Sequence, residues 1–419
     1  MRKKHINFLQ NVLIFFLAVS ALTLFAYQQL SPGSDGFLAG LLPSAQTATS
    51  AADQALESLT SVQSVVRIAV SGAYGRYGSP HLTNTSDQFA GVRNLLQEAL
   101  GSAGAPENCR EQDFRASLEV SSVYCDWTVP LPLSVIAGMV GTNVPDAEIQ
   151  VRRMILSADS GMVSLYLTDD KTFLCCSTKV STEALQEFIG SVQMSSVAFA
   201  YELGEANIAP YSLLHTEDLP SYPQMAPASA AQPADHLLSA LGFNPNTNSR
   251  YTESSGTEVV RDSDRTVRIE TDGTLLYDSG GAFAPELSVT HAGETLTAAE
   301  AVLGSYRVLS QLISDSEAGL SLRSVEATAT GWLVSFDYQV NGVLFRLSGG
   351  EAAAQAEITT AGITGFTMCM RRYATTTEKS PLLLPLRQTL AIAAGGDGGE
   401  LTICYVDSGS TASAAWLVE

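Results

Sequence analysis

The chain has 419 residues and a formal net charge of −20 at pH 7, with 43 acidic residues against 23 lysine and arginine residues. Such a surface repels phosphate backbones and anionic lipid head groups, so nucleic-acid binding is disfavoured. An acidic composition also suits a solvated protein of the cell envelope, which is the simpler interpretation.

The N-terminal residues predict a membrane anchor. Residues 1–5 form a short basic tail, and no further Asp, Glu, Lys or Arg occurs before Asp35. Residues 6–27 are mostly apolar, and a helix of that length rises about 33 Å, enough for a hydrocarbon core of about 30 Å. The basic tail predicts a cytoplasmic N-terminus, a single pass through the cell membrane and an extracytoplasmic bulk of the chain.

A cleaved signal peptide is the alternative interpretation of the same segment. Leu24-Phe25-Ala26 has a large residue three positions before the cut, which makes a poor cleavage site. The sequence therefore favours an uncleaved anchor.

One face of the predicted membrane helix has the composition of a helix–helix interface. Small residues permit close approach in lipid, and polar side chains can bond across the interface. The alternative is that the two asparagines simply lie near the cytoplasmic head groups. The residues of this face, spaced at alternating steps of four and three, are Asn7, Asn11, Ile14, Ala18, Ala21 and Phe25.

Composition divides the rest of the chain into two folded units. Residues 28–63 are rich in Ser, Ala, Thr and Gly and are typical of a flexible stalk. Four prolines in an Ala/Ser stretch predict a linker at 216–233. The units on either side, 64–215 and 234–419, mix helices with antiparallel strand runs, which predicts an α+β fold with mainly antiparallel sheets.

Periodicity, capping residues and turn dipeptides predict the elements of both units. In the first unit they are a strand at 64–70, a helix capped by Ser86 and ending near Gly101 or Gly104, strands at 117–129, 148–157, 162–168 and 172–178, and a helix from Ser181 to Gly190. In the second they are a helix from Pro233 to Gly242, strands at 258–260, 266–270 and 275–277, a helix with a Thr297/Glu300 capping box, strands at 323–328, 332–340, 343–347, 355–360 and 363–372, a helix near 384–393, and strands at 401–406 and 414–418. Asp272-Gly273 and Asn341-Gly342 predict hairpin turns.

The cysteines leave two interpretations open. An oxidising compartment permits one or two disulfides, and Cys109–Cys125 would close a short loop, whereas the alternative is buried free thiols. Metal binding is weakly supported because no CxxC or Cys/His cluster occurs. The six residues are Cys109, Cys125, Cys175, Cys176, Cys369 and Cys404.

The sequence shows no catalytic constellation, so it predicts a protein without enzymatic activity, cofactor or metal. Asp278-Ser279-Gly280-Gly281 is similar to the tetrapeptide around a trypsin-like nucleophile, but a nucleophile also needs a base and an orienting acid. Directly after a strand, these residues indicate a turn. Gly395–Gly399 lacks the Lys-Ser/Thr of a P-loop. Carboxylates are numerous enough for a glycosidase pair, although no two of them stand out.

The C-terminal unit resembles the YycH/YycI family, accessory proteins of a Gram-positive two-component system. The resemblance rests on aromatic and turn residues, and Ala414 stands where the family's closing pattern has proline. The 64–215 unit resembles the extra N-terminal domain of the YycH branch more loosely. The residues that carry the resemblance are Tyr251, Gly256-Thr257, Asp272-Gly273, Tyr277, Trp332, Phe336-Asp337-Tyr338, Asn341-Gly342, Arg371-Arg372-Tyr373, Ile403-Cys404-Tyr405 and Ala415-Trp416.

The resemblance implies a regulatory protein that modulates a membrane sensor histidine kinase controlling cell-wall homeostasis, together with a related accessory protein. Contacts would run partly through transmembrane helices. The aromatic positions Trp332, Phe336, Tyr338 and Trp416 are expected to pack in the core and on the sheets. The alternative function is an extracytoplasmic binding module for a cell-wall polymer or peptide, and an extracellular hydrolase ranks third.

Overall fold

The chain forms two β-sheets with helices packed against them in the computed structural model, and its class is α+β with mostly antiparallel sheets. The structure describes residues 59–144, 149–205, 207–216, 219–229, 234–244, 249–282, 284–314, 316–393 and 398–419. The predicted tail, membrane helix and most of the stalk lie outside these residues.

The strands of the described part are, in chain order, β1 (Val65–Gly72), β2 (Gly75–Thr83), β3 (Glu107–Asn108), β4 (Ser122–Pro132), β5 (Gln150–Asp159), β6 (Met162–Thr168), β7 (Phe173–Ser177), β8 (Ser195–Phe199), β9 (Leu213–His215), β10 (Pro223–Ser229), β11 (Arg250–Thr252), β12 (Glu258–Asp262), β13 (Arg265–Ile269), β14 (Thr274–Asp278), β15 (Gly319–Ala327), β16 (Trp332–Val340), β17 (Val343–Arg346), β18 (Ala354–Thr359), β19 (Gly362–Cys369), β20 (Arg371–Lys379), β21 (Leu401–Asp407) and β22 (Ala412–Val418). The α-helices are α1 (Ala90–Ser102), α2 (Glu111–Ala116), α3 (Leu133–Met139), α4 (Thr182–Ser191), α5 (Ala234–Ala240), α6 (Ala298–Leu312) and α7 (Leu386–Ala393), and short 3₁₀ turns occupy Asp87–Phe89, Ala200–Leu203 and Pro285–Leu287.

The first sheet has nine strands in the order β3-β7-β6-β5-β4-β1-β2-β8-β9. Successive side chains of a strand point to opposite faces, and both faces of the central strands are buried. On β4, Val123 and Cys125 join the large core, while Tyr124 joins a smaller cluster on the other face that includes Phe114 of α2. Helix α4 covers the first of these faces by packing on β1, β4 and β6.

The second sheet has thirteen strands, twelve of them in the order β11-β12-β13-β14-β19-β18-β16-β17-β21-β22-β10-β20, with β15 paired to β16. Among the described strand pairs of this sheet, β17–β21 is parallel and joins Phe345 to Tyr405. Helix α6 packs against β15, β16, β18 and β19. The change from the first sheet to the second falls between His215 and Pro223, within the predicted linker.

Hydrogen bonds join the two sheets close to the start of β1. The Leu322 N–H donates to the Gln63 carbonyl at 3.0 Å, and the Val65 N–H donates to Ser321 Oγ at 3.0 Å. The Gln339 side chain adds a third bond, 2.7 Å long, to Gln63 Oε1. Side chains of both sheets also belong to one buried apolar cluster, so the two sheets share a packed seam.

Elements with a strong local signal are confirmed. Thr297 and Glu300 form both halves of the predicted capping box at the start of α6. Ser181 accepts a hydrogen bond from the N–H of Ala184 and caps α4. Asn341 and Gly342 both have positive φ, at 49° and 79°, as a tight hairpin between β16 and β17 requires.

Strand β2 carries no strand signal because Gly75, Gly78 and Pro80 break up its sequence. Gly78 is needed because a Cβ there would lie 2.1 Å from the Ile68 carbonyl oxygen. Pro80 falls where the β1–β2 register shifts, opposite the stretch from Val66 to Ile68. A proline is tolerated at such an irregularity because no ladder hydrogen bond is required of it.

Two further segments differ from the expectation. Residues 223–229 of the predicted linker form strand β10, which pairs along its length with β20, whereas its register with β22 is the single described pair Met225 and Ala412. Pro223 and Pro227 of β10 lack an N–H donor, but few hydrogen bonds are lost because β10 is paired along its length on one side only. The run predicted as one strand at 363–372 divides at Met370 into β19, which pairs with β14 and β18, and β20, which pairs with β10.

All six cysteines are free thiols. The structure excludes the alternative of a Cys109–Cys125 disulfide, because strands β7, β6 and β5 lie between β3 and β4 in the first sheet. At about 4.8 Å per strand, the two residues are roughly 19 Å apart, and a disulfide needs Cα atoms within about 7 Å. Cys176 is buried while Cys175 is partly exposed, because neighbouring residues of a strand point to opposite faces of the sheet.

Candidate functional site

A row of buried charges crosses three neighbouring strands of the first sheet. Arg67 on β1 lies directly opposite Asp126 on β4, and Asp126 lies directly opposite Arg153 on β5. All three are buried, with exposed fractions of 5%, 0% and 2%. Two guanidinium groups and one carboxylate leave an excess of positive charge, so another carboxylate is needed to compensate it.

Glu400, which immediately precedes β21 of the second sheet, supplies this carboxylate. Its side chain forms ion pairs with Arg67 and Arg152 and lies 3.4 Å from Nη2 of Arg153. Its backbone is held in place by reciprocal hydrogen bonds with Glu419 at 2.7 and 3.0 Å. One carboxylate of the second sheet therefore contacts three arginines of the first.

The surroundings of Asp126 keep it ionised. Burial by itself would raise its pKa, but Arg152, Arg153 and Arg67, together with the Thr128 N–H, outweigh burial and hold the pKa well below its usual range. Its Oδ2 lies 3.6 Å from Arg67 and 3.5 Å from Arg153. Asp126 Oδ2 is thus stabilised by the nearby charges of Arg67 and Arg153 and not by a short hydrogen bond.

Thr128, beside this row, has an unusual backbone conformation. Its φ is +66°, a value that is rare for a β-branched residue. The β4–β5 register shifts between Asp126 and Leu131, and the Thr128 N–H donates to Asp126 Oδ1 at 2.8 Å. The bulge therefore turns the backbone donor towards the buried carboxylate.

The row borders a cavity of about 470 Å³ between the sheets, which we call the seam cavity. Its second wall carries Asp337, whose two oxygens accept hydrogen bonds from Arg323 and Arg346, each at 2.9 Å. Burial raises the pKa of Asp337, although both arginines act in the opposite direction. Arg346 also binds the Glu419 carboxylate.

The charges around the seam cavity are balanced, since each guanidinium contacts at least one carboxylate. Five arginines face five carboxylates, and the set comprises Arg67, Arg152, Arg153, Arg323, Arg346, Asp126, Asp170, Asp337, Glu400 and Glu419. A new anionic ligand would have to displace an existing partner. The arrangement therefore acts chiefly as an electrostatic clamp between the two sheets.

A second concave surface, about 1150 Å³ in volume, has a different character. We call it the leucine groove. One wall is the irregular segment between β20 and α7, and the other is the chain around the 3₁₀ turn at Ala200–Leu203 and the approach to β10. Its apolar lining residues are Leu203, Leu219, Pro220, Tyr222, Pro381, Leu382, Leu383, Pro385, Leu386 and Leu390.

Leu382 is the most exposed apolar residue of the groove, with 97% of its surface accessible. The flanking prolines Pro381 and Pro385 fix their own φ and bias the residues before them, Ser380 and Leu384, towards extended conformations. Trp416 Nε1 donates to the Leu384 carbonyl at 3.0 Å and fixes the segment from beneath. Within the described residues, no acceptor lies opposite the backbone N–H groups of Leu382 and Leu383. The segment thus presents apolar side chains together with unpaired backbone donors.

Tyr222 connects the groove to the buried seam. Its ring lies edge-on to His81 and to Tyr405, at centroid distances of 6.1 and 6.5 Å. Its hydroxyl is buried without a hydrogen-bond partner among the described residues, and burial raises its pKa beyond the usual range. His81 also lies 6.4 Å from the ring of His215.

The residues of the predicted transmembrane face, Asn7, Asn11, Ile14, Ala18, Ala21 and Phe25, lie outside the described part of the chain. Within that part, no helix is long and apolar enough to cross a bilayer. The expected packing roles of the aromatic residues are confirmed, since Phe336 and Tyr338 are fully buried and Trp332 and Trp416 pack against the core. Asp278 caps a turn by accepting the Gly280 N–H at 2.8 Å, as predicted.

Sequence reasoning missed the charged row, although a signal was present. Arg67, Asp126 and Arg153 each interrupt a run of apolar strand residues. A charge inside a buried strand requires a partner, so such interruptions indicate that charged positions meet across the sheet. The contribution of Glu400 depends on how the second sheet packs and has no local signal.

No family model matches the sequence, and no curated protein matches it. Among solved structures, an uncharacterized protein from Eubacterium rectale ATCC 33656 is similar, with 13% identity, coverage of 47% of this chain and 75% of that chain, and a TM-score of 0.29. A likeness of this size carries no argument about fold or function. The resemblance to the YycH/YycI family stays a prediction.

Proposed function

We propose that the protein is a membrane-anchored, extracytoplasmic regulator that modulates a sensor histidine kinase of a two-component system through non-covalent contacts. The sequence resemblance to the YycH/YycI family suggests this partner, together with a related accessory protein. The leucine groove is the single structural observation that supports it best, because it offers an apolar surface suited to a protein segment rather than a reaction site.

The groove has features of a peptide-recognition surface. Partners that bind in an extended form gain affinity from main-chain hydrogen bonds and specificity from side-chain pockets. The backbone N–H groups of Leu382 and Leu383, which have no acceptor among the described residues, are available for the main-chain hydrogen bonds. The lining leucines form the side-chain pockets. Burying a leucine side chain contributes about 1.5–3 kcal/mol, so covering Leu382 alone corresponds to a tenfold or greater gain in affinity.

The predicted membrane helix supplies a second contact in this proposal. The face from Asn7 to Phe25 would pack against a transmembrane helix of the kinase or of the accessory protein. The groove would then contact an extracytoplasmic segment of the same partner. Two tethered contacts bind more tightly than either alone because the second is effectively intramolecular.

Co-purification of the full chain with the kinase in mild detergent tests the proposal. We expect Leu382→Asp to reduce recovery of the kinase at least tenfold, since a buried apolar contact is replaced by a charge. Met162→Asp is the matched control, because Met162 is also exposed, at 69%, but lies on β6 away from the groove. Exchange of residues 1–30 for an unrelated anchor is also expected to reduce recovery.

Equal recovery with the Leu382 and Met162 variants would refute the role of the groove. Unchanged recovery after the exchange of residues 1–30 would refute the role of the membrane helix. Failure to recover any kinase with the unaltered chain would refute the regulatory function itself.

A binding module for a cell-wall polymer or peptide is the second candidate. The same groove favours it, because an extended peptide or glycan fits a surface with free N–H donors as well as a protein segment does. Retention of wall glycan by the full chain, in the absence of the kinase, would support this function. Loss of that retention in the Leu382 variant would place the ligand in the groove.

A further inference from the structure

Two cysteines meet at the edge of the first sheet. Strand β3 pairs with β7 through Glu107–Cys175 and Asn108–Leu174. The ladder continues one residue further, since the Cys109 N–H donates to the Phe173 carbonyl at 2.9 Å. Cys109 and Cys175 are therefore diagonal neighbours whose side chains project from the same face of the sheet.

Besides the effect of burial, the thiol of Cys175 is close enough to that of Cys109 to raise the pKa of Cys109. Both residues are partly exposed, so a small oxidant can reach them. Cys176, the next residue along β7, is buried on the opposite face. Of these three thiols, only those of Cys109 and Cys175 lie on the same face of the sheet.

We propose that Cys109 and Cys175 form an oxidisable dithiol that closes to an intramolecular disulfide on reaction with disulfide-bearing oxidants. The extracytoplasmic position proposed above would supply such oxidants. Diagonal neighbours on paired strands have Cα atoms about 7–8 Å apart, and a disulfide needs about 4.4–6.8 Å. Closure therefore requires a shift of about 1–2 Å in the backbone, which the two-residue edge strand β3 can make because it is short and exposed.

The reaction proceeds through a mixed disulfide. The Cys175 thiolate attacks one sulfur of the oxidant and displaces the other as a thiolate. Cys109 then loses its proton and attacks the mixed disulfide, which releases the second thiolate. The protein loses two protons and two electrons in all, and the oxidant is reduced to two thiols.

The order of attack follows from the environment of Cys109. Burial and the neighbouring thiol of Cys175 raise the pKa of Cys109 to about 11. Cys109 is therefore a poor first nucleophile at neutral pH. Its reaction as the second thiol is aided by its position against the mixed disulfide.

A disulfide between Cys109 and Cys175 would hold the short edge strand β3 against β7. Strand β3 has only two residues, both exposed, and leads directly into α2, whose Phe114 packs with Tyr211 at a ring distance of 5.4 Å. A bond from Cys109 to Cys175 would keep β3 paired and limit opening of the segment that carries α2. Oxidation would thus stabilise one face of the first sheet.

The test is oxidation of the full chain in detergent with oxidised glutathione, followed by alkylation of the remaining thiols and peptide mass spectrometry. We expect a cross-linked peptide joining Cys109 to Cys175, lighter by two hydrogen atoms than the sum of its parts. Dithiothreitol should abolish it. Cys369→Ser is the matched control, since Cys369 is also partly exposed but lies on β19, and this variant should keep the cross-link.

The thermal midpoint supplies a second readout. We expect oxidation to raise the midpoint of the unaltered protein and of Cys369→Ser, but not that of Cys109→Ser. Complete alkylation of Cys109 and Cys175 after oxidation would overturn the proposal. A cross-link from Cys109 to Cys176, or one between two chains in place of the internal bond, would overturn it as well.

Discussion

His81 makes the stability of this protein fall in acid, and His81→Gln tests that prediction. Burial, Arg67 and His215 together lower the pKa of His81 from 6.5 to about 3. Its Nε2 is buried without a hydrogen-bond partner among the described residues, although the residue as a whole keeps partial exposure. A positive charge there would face the Arg67 guanidinium and the imidazole of His215, with the uncharged ring of Tyr222 at its edge.

The size of the effect follows from proton linkage. Between pH 6.5 and 3 the unfolded chain binds a proton at His81 that the folded chain excludes, so the free energy of unfolding decreases as the pH falls. With pKa values of 6.5 and about 3, the loss at about pH 5 is about 2 kcal/mol. A folded-state pKa of about 4 would give nearly the same loss, since both values lie below the assay pH.

Urea unfolding of the full chain in detergent, followed by tryptophan fluorescence at about pH 7.5 and about pH 5, measures this loss. Glutamine cannot take up the proton, so His81→Gln should lose about 2 kcal/mol less than the unaltered protein between the two pH values. Any loss of stability that the substitution causes equally at both pH values cancels, because only the change in unfolding free energy between the two pH values is compared. His291→Gln is the control, because His291 lies in an exposed loop and should behave as the unaltered protein does. Parallel pH profiles for the His81 variant and the unaltered protein would refute the reasoning.

Two further substitutions probe the seam between the sheets by chemical unfolding. Gly342→Ala should destabilise the fold more than Gly281→Ala does. Both glycines have positive φ, but only at Gly342 would a Cβ lie 2.5 Å from the Leu82 nitrogen. The two losses of unfolding free energy should differ by about 1–3 kcal/mol, and equal losses would contradict this reasoning. Glu400→Gln should cost about 3–5 kcal/mol by leaving buried arginines uncompensated, whereas Glu253→Gln, in a partly exposed ion pair, should cost less than about 1 kcal/mol. A small loss at Glu400 would contradict the clamp.

The parts of the fold that sequence reasoning predicted are those specified by neighbouring residues. A capping box at Thr297 and a turn dipeptide at Asn341-Gly342 act over a few residues, so their effect is visible in the sequence itself. Helix α3 shows the opposite case. Nearly all of its residues are buried, so it lacks the polar face that makes an amphipathic helix recognisable.

The candidate sites were harder to predict because they form between distant parts of the chain. The seam cavity needs β1 and β5 of one sheet and Glu400 of the other. The leucine groove needs the segment after β20 to lie beside the approach to β10. Patterns of apolar residues report which face of a strand is buried, but they do not report which strand it meets.

The position of β21 and β22 has a consequence for how the protein acquires its structure. They lie between β17 and β10 in the second sheet, and the ion pair from Arg67 to Glu400 joins residues 333 positions apart. Ribosomes deliver the N-terminal part first, so the interior of this sheet stays open until residues 401–418 have emerged. Contacts of such long sequence separation slow folding, and the unpaired edges of β17 and β10 can meanwhile pair with other chains. Before β21 and β22 insert, the edges of β17 and β10 are therefore the part of this sheet most open to pairing with another chain.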